Sequence, residues 1–240
     1  MQVGRAMALA RSRQAARRVK DRWKAKQWYK VTAPASFNNH VIGETMADEP
    51  AKVIGRTAEA TLHDLTGDMR QMHVKLFFRV EETVDTQAKT VYVGHAMTSD
   101  YVRRLTRRGH TKISAVFDVK TKDGSRLRLK PFCVTDRRCQ TTQAQTIRAM
   151  MQEMLTKAAA ESTQSVFLKD LLVGDLANQI YKEARKVHPV RRIEVAKVEV
   201  TKASGIVDET PIVVIEEESD DEGDGEDGDA VALGDDSEEE

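Results

Sequence analysis

The sequence predicts an α+β fold, and three observations predict it. Between residues 53 and 134, apolar residues recur at every second position in short runs. Between 142 and 187 they recur at helical spacing, and residues 190–202 alternate again. Strands therefore come first, helices next, and one strand closes the ordered part. No internal repeat is present.

Residues 1–25 are expected to be a basic arm, disordered until it meets a polyanion, because Met7, Leu9 and Val19 are too sparse to build a core. A globular domain is expected over 26–204. It opens on an extended segment from Trp28 to Pro34, where Pro34 keeps Ala33 out of the helical region. Trp28 and Tyr29 are expected to anchor the arm on the core rather than stack on bases. Residues 53–62 mix Val, Thr and Ala. Residues 72–80 place Met72, Val74, Leu76, Phe78 and Val80 on one face. Residues 89–97 align Val91 with Val93, and 111–120 align Ile113, Ala115, Phe117 and Val119. Asp123-Gly124 supplies the positive φ of a hairpin, and the following strand, 126–134, shifts phase at Pro131. Proline cannot donate to a ladder, so a bulge or an edge is expected there.

A short helix is expected at about 99–108, capped by Thr98 or Ser99 and ended by Gly109. Tyr101, Val102 and Leu105 share one arc; Arg103, Arg104, Arg107 and Arg108 share the other. Thr142 with Gln145 makes a capping-box pattern ahead of Ile147, Met150, Met151, Met154, Leu155 and Ala158. A second helical region, 165–187, breaks at Val173-Gly174-Asp175, where Asp175 is placed to cap a new helix, and ends at His188-Pro189. The last strand carries Ile193, Val195, Val198 and Val200. Residues 205–240 are expected to be a disordered acidic tail, interrupted only by the apolar island 211–215.

The 38 Lys+Arg and 38 Asp+Glu of the 240 residues cancel, but they are segregated. Residues 1–30 hold ten Lys/Arg and one acid, Asp21; residues 208–240 hold seventeen Asp/Glu and no Lys or Arg. Everything before the tail thus carries +17 and the tail −17. Such asymmetry points to a nucleic-acid partner with an acidic appendage, and the sequence does not choose whether that tail competes with RNA for the basic surface, recruits a basic partner or serves solubility at high salt. No apolar run approaches the ~20 residues of a membrane span. The basic N-terminus lacks the apolar stretch of a secretory signal.

Cys133 and Cys139 fit a reducing compartment, Cys133 in the core and Cys139 at a helix entry. The six histidines show no zinc spacing, and phosphate-loop, dinucleotide, nucleophile-elbow and zincin motifs are absent. Asp64, Asp68, Glu81 and Glu82 read as acids of exposed turns. The expectation is no enzyme, no catalytic residue, no metal and no cofactor.

Phosphate binding needs fixed cations along a surface, and arginine adds bidentate geometry. The candidate RNA-binding residues are Arg5, Arg11, Arg13, Arg17, Arg18, Lys20, Arg22, Lys24 and Lys26 at the arm. Arg103, Arg104, Arg107 and Arg108 follow on the short helix, then Arg137 and Arg138 before the long one. Arg191 and Arg192 extend the surface.

The run from Lys26-Gln27-Trp28-Tyr29-Lys30-Val31-Thr32-Ala33-Pro34 through Phe37-Asn38 to Ile42-Gly43-Glu44-Thr45 is distinctive. It resembles the opening of the archaeal and eukaryotic small-subunit ribosomal protein family S3Ae, also called eS1. The resemblance continues in Arg126 through Pro131, in Gln145-Thr146-Ile147-Arg148 with Met150-Met151, and from Ile180-Tyr181 to His188 through Val195. Asp48-Glu49-Pro50, Lys52-Val53 and Gly55-Arg56 resemble the archaeal branch. The resemblance spans about residues 24–202. It implies a β-rich, barrel-like core with α-helices packed alongside. It also implies a structural protein of the small-subunit platform near the messenger exit, in the cytoplasm. Its implied partners are small-subunit rRNA, neighbouring ribosomal proteins and messenger RNA near the exit, with no membrane. A free RNA-binding regulator acting off the ribosome is the alternative reading. The long arm and the acidic tail depart from the shared motifs.

Overall fold

The structure, a computed structural model, describes Trp23 and residues 26–202. The expectations for Arg5, Arg11, Arg13, Arg17, Arg18, Lys20, Arg22 and Lys24, and for the acidic tail, lie outside the described residues.

Among the described residues, nine strands form one mixed sheet: β1 (Gln27–Thr32), β2 (Val41–Ala47), β3 (Thr57–Thr61), β4 (Val74–Val84), β5 (Gln87–Met97), β6 (Lys112–Ser114), β7 (Phe117–Lys120), β8 (Arg126–Thr135) and β9 (Val190–Lys202). β4 and β5 form a long antiparallel hairpin, with β3 on the outer edge of β4. The other edge of β5 is shared. Its residues 87–89 pair in parallel with β1, and 94–96 pair antiparallel with β9. β8 likewise divides an edge between β6 and β7. Because single edges are split in this way, the sheet branches. It does not close into the barrel that the family resemblance implied.

Five α-helices join the strands among the described residues: α1 (Leu62–Thr66), α2 (Ser99–Leu105), α3 (Thr141–Glu161), α4 (Gln164–Val173) and α5 (Asp175–Val187). α5 packs on β9, and α3 packs on α5 and β7. Burial explains these positions. Ile147, Met151, Leu155 and Ala159 form one fully covered helical stripe of α3, and Leu176, Ile180 and Ala184 form that of α5. The main core gathers these with Leu76, Leu127 and Leu129 of the sheet. Phe37, Phe78 and Tyr92 meet in it, Phe37 standing edge-on to Phe78 at 5.4 Å. A smaller core holds Tyr29, Val31, Ala47, Val53, Val80 and Ala88. No described helix is long and apolar enough to cross a membrane.

The bulge expected at Pro131 is present. The β8–β9 register shifts between Lys130 and Pro131, opposite Lys197 and Val195. The shift lets β9 change phase, so Ile193 and Val195 are buried before it and Val198 after it. Several local expectations differ from the structure. β5 buries Ala88, Thr90 and Tyr92, while Val91 and Val93 are half-buried on the other face. Tyr92 takes the inner face because it fills the space beside Phe37 and Phe78. Met72 precedes β4 and is exposed. β2 has no alternation to reveal it, being half-buried along most of an edge. The α3 cap lies two residues before the expected one, at Gln140, whose N–H donates to Gln143 Oε1 at 3.3 Å. Gly174, at φ +93°, caps α5, and Asp175 is its first residue.

Candidate nucleic-acid interface

The arginines of 103–108 are divided by the fold. α2 was expected to reach residue 108 but ends at Leu105. Thr106 closes it: its N–H and its hydroxyl both donate to the Val102 carbonyl, at 3.1 and 3.0 Å, while its ψ of 88° leaves the helix. Arg103 and Arg104 therefore sit on the last helical turn. Arg107 and Arg108 sit in the following turn, closed by the His110 N–H on the Arg107 carbonyl (3.3 Å) and by Gly109 at φ +90°. All four are exposed, but not as one helical face.

Thr135, fully buried at the end of β8, binds the neighbouring loops together. Its hydroxyl accepts the Thr111 N–H at 3.0 Å and donates to the Arg137 carbonyl at 2.6 Å. Its own N–H donates to the Thr111 carbonyl at 3.0 Å. His110 Nδ1 lies 3.0 Å from the Thr135 carbonyl, and the Cys139 N–H donates to Thr111 Oγ1 at 3.2 Å. The loop after α2 and the loop before α3 are thus held side by side, bringing the backbones of Arg107, Arg108, Arg137 and Arg138 into adjoining segments. Arg137 and Arg138 are also exposed.

Among the described residues, none of the six arginines forms an ion pair with an acid. The strand surfaces are different. Arg128 forks onto Asp118 at 2.8 and 3.1 Å and holds that carboxyl below its usual range. Lys130 lies 3.6 Å from Glu199, Lys75 lies 3.7 Å from Glu59, and Lys89 lies 3.9 Å from Glu82. Exposed pairs of this kind add little stability, but they cancel charge locally. The charge at the loop end stays uncompensated.

Arg192, expected to extend this surface, is engaged instead. Its Nε lies 2.5 Å from Glu194 Oε1, which also accepts the Tyr101 hydroxyl at 2.8 Å. His73 stacks on Tyr101 at 3.8 Å between centroids. Burial, with the Glu194 bond behind it, pushes the Tyr101 phenol up to about 12, and burial lowers His73. Sequence reasoning missed Glu194. The available signal was an acid between Ile193 and Val195 in a strand otherwise buried there.

Lys26 lies over the Trp23 ring at 4.0 Å. Tyr29 is buried and Trp28 is 59% exposed, so only Tyr29 anchors the entry strand. Asp64 and Asp68 are turn caps, accepting the Thr61 and Arg70 N–H groups at 2.9 Å each. Cys133 is buried, which pushes its thiol up to about 12. No group of three metal-ligating side chains occurs among the described residues.

The family model described as "Ribosomal S3Ae family" matches residues 14–204. The chain belongs to the ribosomal S3Ae family. Similar proteins carry the name "Small ribosomal subunit protein eS1". That of Desulfurococcus amylolyticus is 42% identical over 197 residues, covering 82% of this chain and 92% of its own. That of Staphylothermus marinus is 42% identical over 179 residues, covering 75% and 84%. That of Methanothrix thermoacetophila is 38% identical over 192 residues, covering 80% and 91%. The S3Ae match takes in the whole described sheet and all five α-helices.

Proposed function

We propose that this S3Ae protein is a non-catalytic structural constituent of the small ribosomal subunit. It binds rRNA on the platform near the messenger exit, beside neighbouring ribosomal proteins and messenger RNA, in the cytoplasm. The observation that carries the binding surface is the set of six exposed arginines without acid partners on loops fastened by Thr135. The names of its relatives support the ribosomal setting.

Guanidinium groups so placed neutralise phosphates and fix orientation without reading sequence. Each phosphate contact steepens the salt dependence by about 0.7–0.9 log units per log unit of salt. Reversing Arg103, Arg104, Arg107 and Arg108 to Glu is expected to flatten the slope by about 3. The same change lowers incorporation into subunits.

The deciding experiment is sedimentation of cell lysate through a sucrose gradient at the cell's own salt, with quantitative detection of the chain. Near-unit stoichiometry in small-subunit and polysome fractions supports the reading. Recovery mainly at the top of the gradient replaces it with a free RNA-binding regulator. Unchanged occupancy of the four-arginine variant removes that patch from the interface.

A further inference from the structure

A cavity of about 230 Å³ opens between the Met69–Gln71 turn, β9 and the junction of α4 with α5. Leu155, Leu171, Leu172, Ala177 and Ile180 give it apolar walls. Its mouth is apolar as well. Val173 lines it and is exposed, and Met69 and Met72, both exposed, flank the lining residues Arg70 and Gln71. Exposed apolar side chains gathered around a hollow mark a contact surface. The rim is cationic. Arg70 lines the cavity and is exposed. Arg104 follows Tyr101 by one turn of α2, and Tyr101 stacks on His73, another lining residue. Neither arginine forms an ion pair among the described residues, whereas Arg192 is balanced by Glu194.

We propose that this cavity receives the apolar island of the chain's own C-terminal segment, residues 211–215, and that the acids beside the island then cover Arg70 and Arg104. The covering bears on RNA only through the RNA-binding reading above; the docking does not depend on it. Three observations select this occupant. The first is reach. β9 ends at Lys202, and Arg192 through Val195 of the same strand line the cavity. At ~3.3 Å per residue, Val195 lies about 23 Å back along β9. The nine steps from Lys202 to Pro211 span at most about 32 Å, enough to turn back and deliver the island to the opening. Gly205 offers the reversal a residue with few steric limits.

The second is chemistry. Ile212, Val213, Val214 and Ile215 are the first unbroken run of four aliphatic residues beyond β9, and the walls accept aliphatic side chains. The third is charge. Asp208 and Glu209 precede the island, and Glu216, Glu217 and Glu218 follow it. An aliphatic centre with acidic flanks thus meets an apolar hollow with a cationic rim. Tethering favours this segment over a separate partner, because its effective concentration is on the order of millimolar.

The test is amide hydrogen exchange on the full chain. Residues 211–215 are expected to exchange about tenfold more slowly than an unstructured chain of that sequence. Two variants are expected to remove this protection while β9 keeps its own. Val173→Asp puts a carboxylate on the exposed rim, and Ile212→Ser with Ile215→Ser removes the aliphatic centre without changing a charge. Free-chain exchange over 211–215 in the parent overturns the docking. So does protection that survives Val173→Asp, because the island then lies elsewhere, and protection that fades on dilution, because a second copy's segment is then the occupant. The serine pair is also expected to bind labelled octauridylate about threefold tighter than the parent at low salt, its arginines being uncovered. Equal affinity overturns the covering and leaves the RNA-binding reading standing. Absence of binding in both proteins overturns that reading and the covering with it, while the docking stands or falls on the exchange.

Discussion

Thr135→Val removes one hydroxyl and keeps the shape, so it tests whether that hydroxyl holds the arginine loops. In the parent the hydroxyl accepts the Thr111 N–H at 3.0 Å and donates to the Arg137 carbonyl at 2.6 Å. Valine serves neither group. Arg137 is exposed, so its carbonyl regains a partner from water; His188 Nε2 also lies 3.4 Å away. The Thr111 N–H stays against the buried end of β8, where an unsatisfied donor costs about 1–3 kcal/mol. The expected loss is therefore about 2 kcal/mol, read as a lower urea midpoint at unchanged m-value. Thr135→Ser restores the hydroxyl at the expense of one methyl and is expected to lose about 1 kcal/mol. A valine variant within about 0.5 kcal/mol of the parent would refute the reasoning. So would a serine variant as unstable as valine, since packing of the methyl would then be the cause. The valine variant is also expected to bind RNA more weakly under conditions where it remains folded, because its four loop arginines are no longer fixed.

Gly94→Ala places a Cβ 2.2 Å from the Val198 carbonyl oxygen, forcing β5 and β9 apart where they share three residue pairs. A loss of about 3 kcal/mol or more is expected, and a thermal midpoint equal to the parent's would contradict it. His95 is buried with Nδ1 2.7 Å from the Tyr92 hydroxyl, and burial lowers its pKa to about 4 from 6.5. The folded state favours neutral His95, so this stabilisation is complete above pH 6.5 and is lost as pH falls toward 4. The difference corresponds to about 3 kcal/mol. Urea titrations from pH 7 to 4.5 are expected to show a steeper decline for the parent than for His95→Gln, and parallel declines would dismiss His95 as the cause. Deleting residues 216–240 removes fifteen acids and is expected to strengthen non-specific RNA binding at low salt. An unaltered affinity and salt slope would exclude competition by the tail.

Legibility followed the source of each constraint. β9 appeared in the sequence with its full bounds because local alternation and the stop at His188-Pro189 both specify it. Pro131 disclosed its bulge because a missing N–H is a local property. The failures arose where a distant partner chose between local options. Val91 and Val93 were as suitable for the core as Tyr92 until Phe37 and Phe78 took up position beside it. The barrel failed for a related reason: pairing β5 with both β1 and β9 on one edge is a decision between strands, invisible along any one of them.

The interface divides along the same line. That Arg103, Arg104, Arg107, Arg108, Arg137 and Arg138 are exposed could be read from charge pattern, because a cation rarely buries. That their charge is uncompensated could not, because Asp118 and Glu199 reach their arginine and lysine only across the sheet. Glu194 is the extreme case. Its neighbours in sequence mark it as a core position, and its charge forbids the core unless partners arrive from elsewhere. Tyr101 arrives from α2 and Arg192 from its own strand, and together they satisfy Oε1. The remaining oxygen is buried without a hydrogen-bond partner among the described residues. A strand acid flanked by buried aliphatics is thus the sequence signal that would have located this buried cluster before the fold was known.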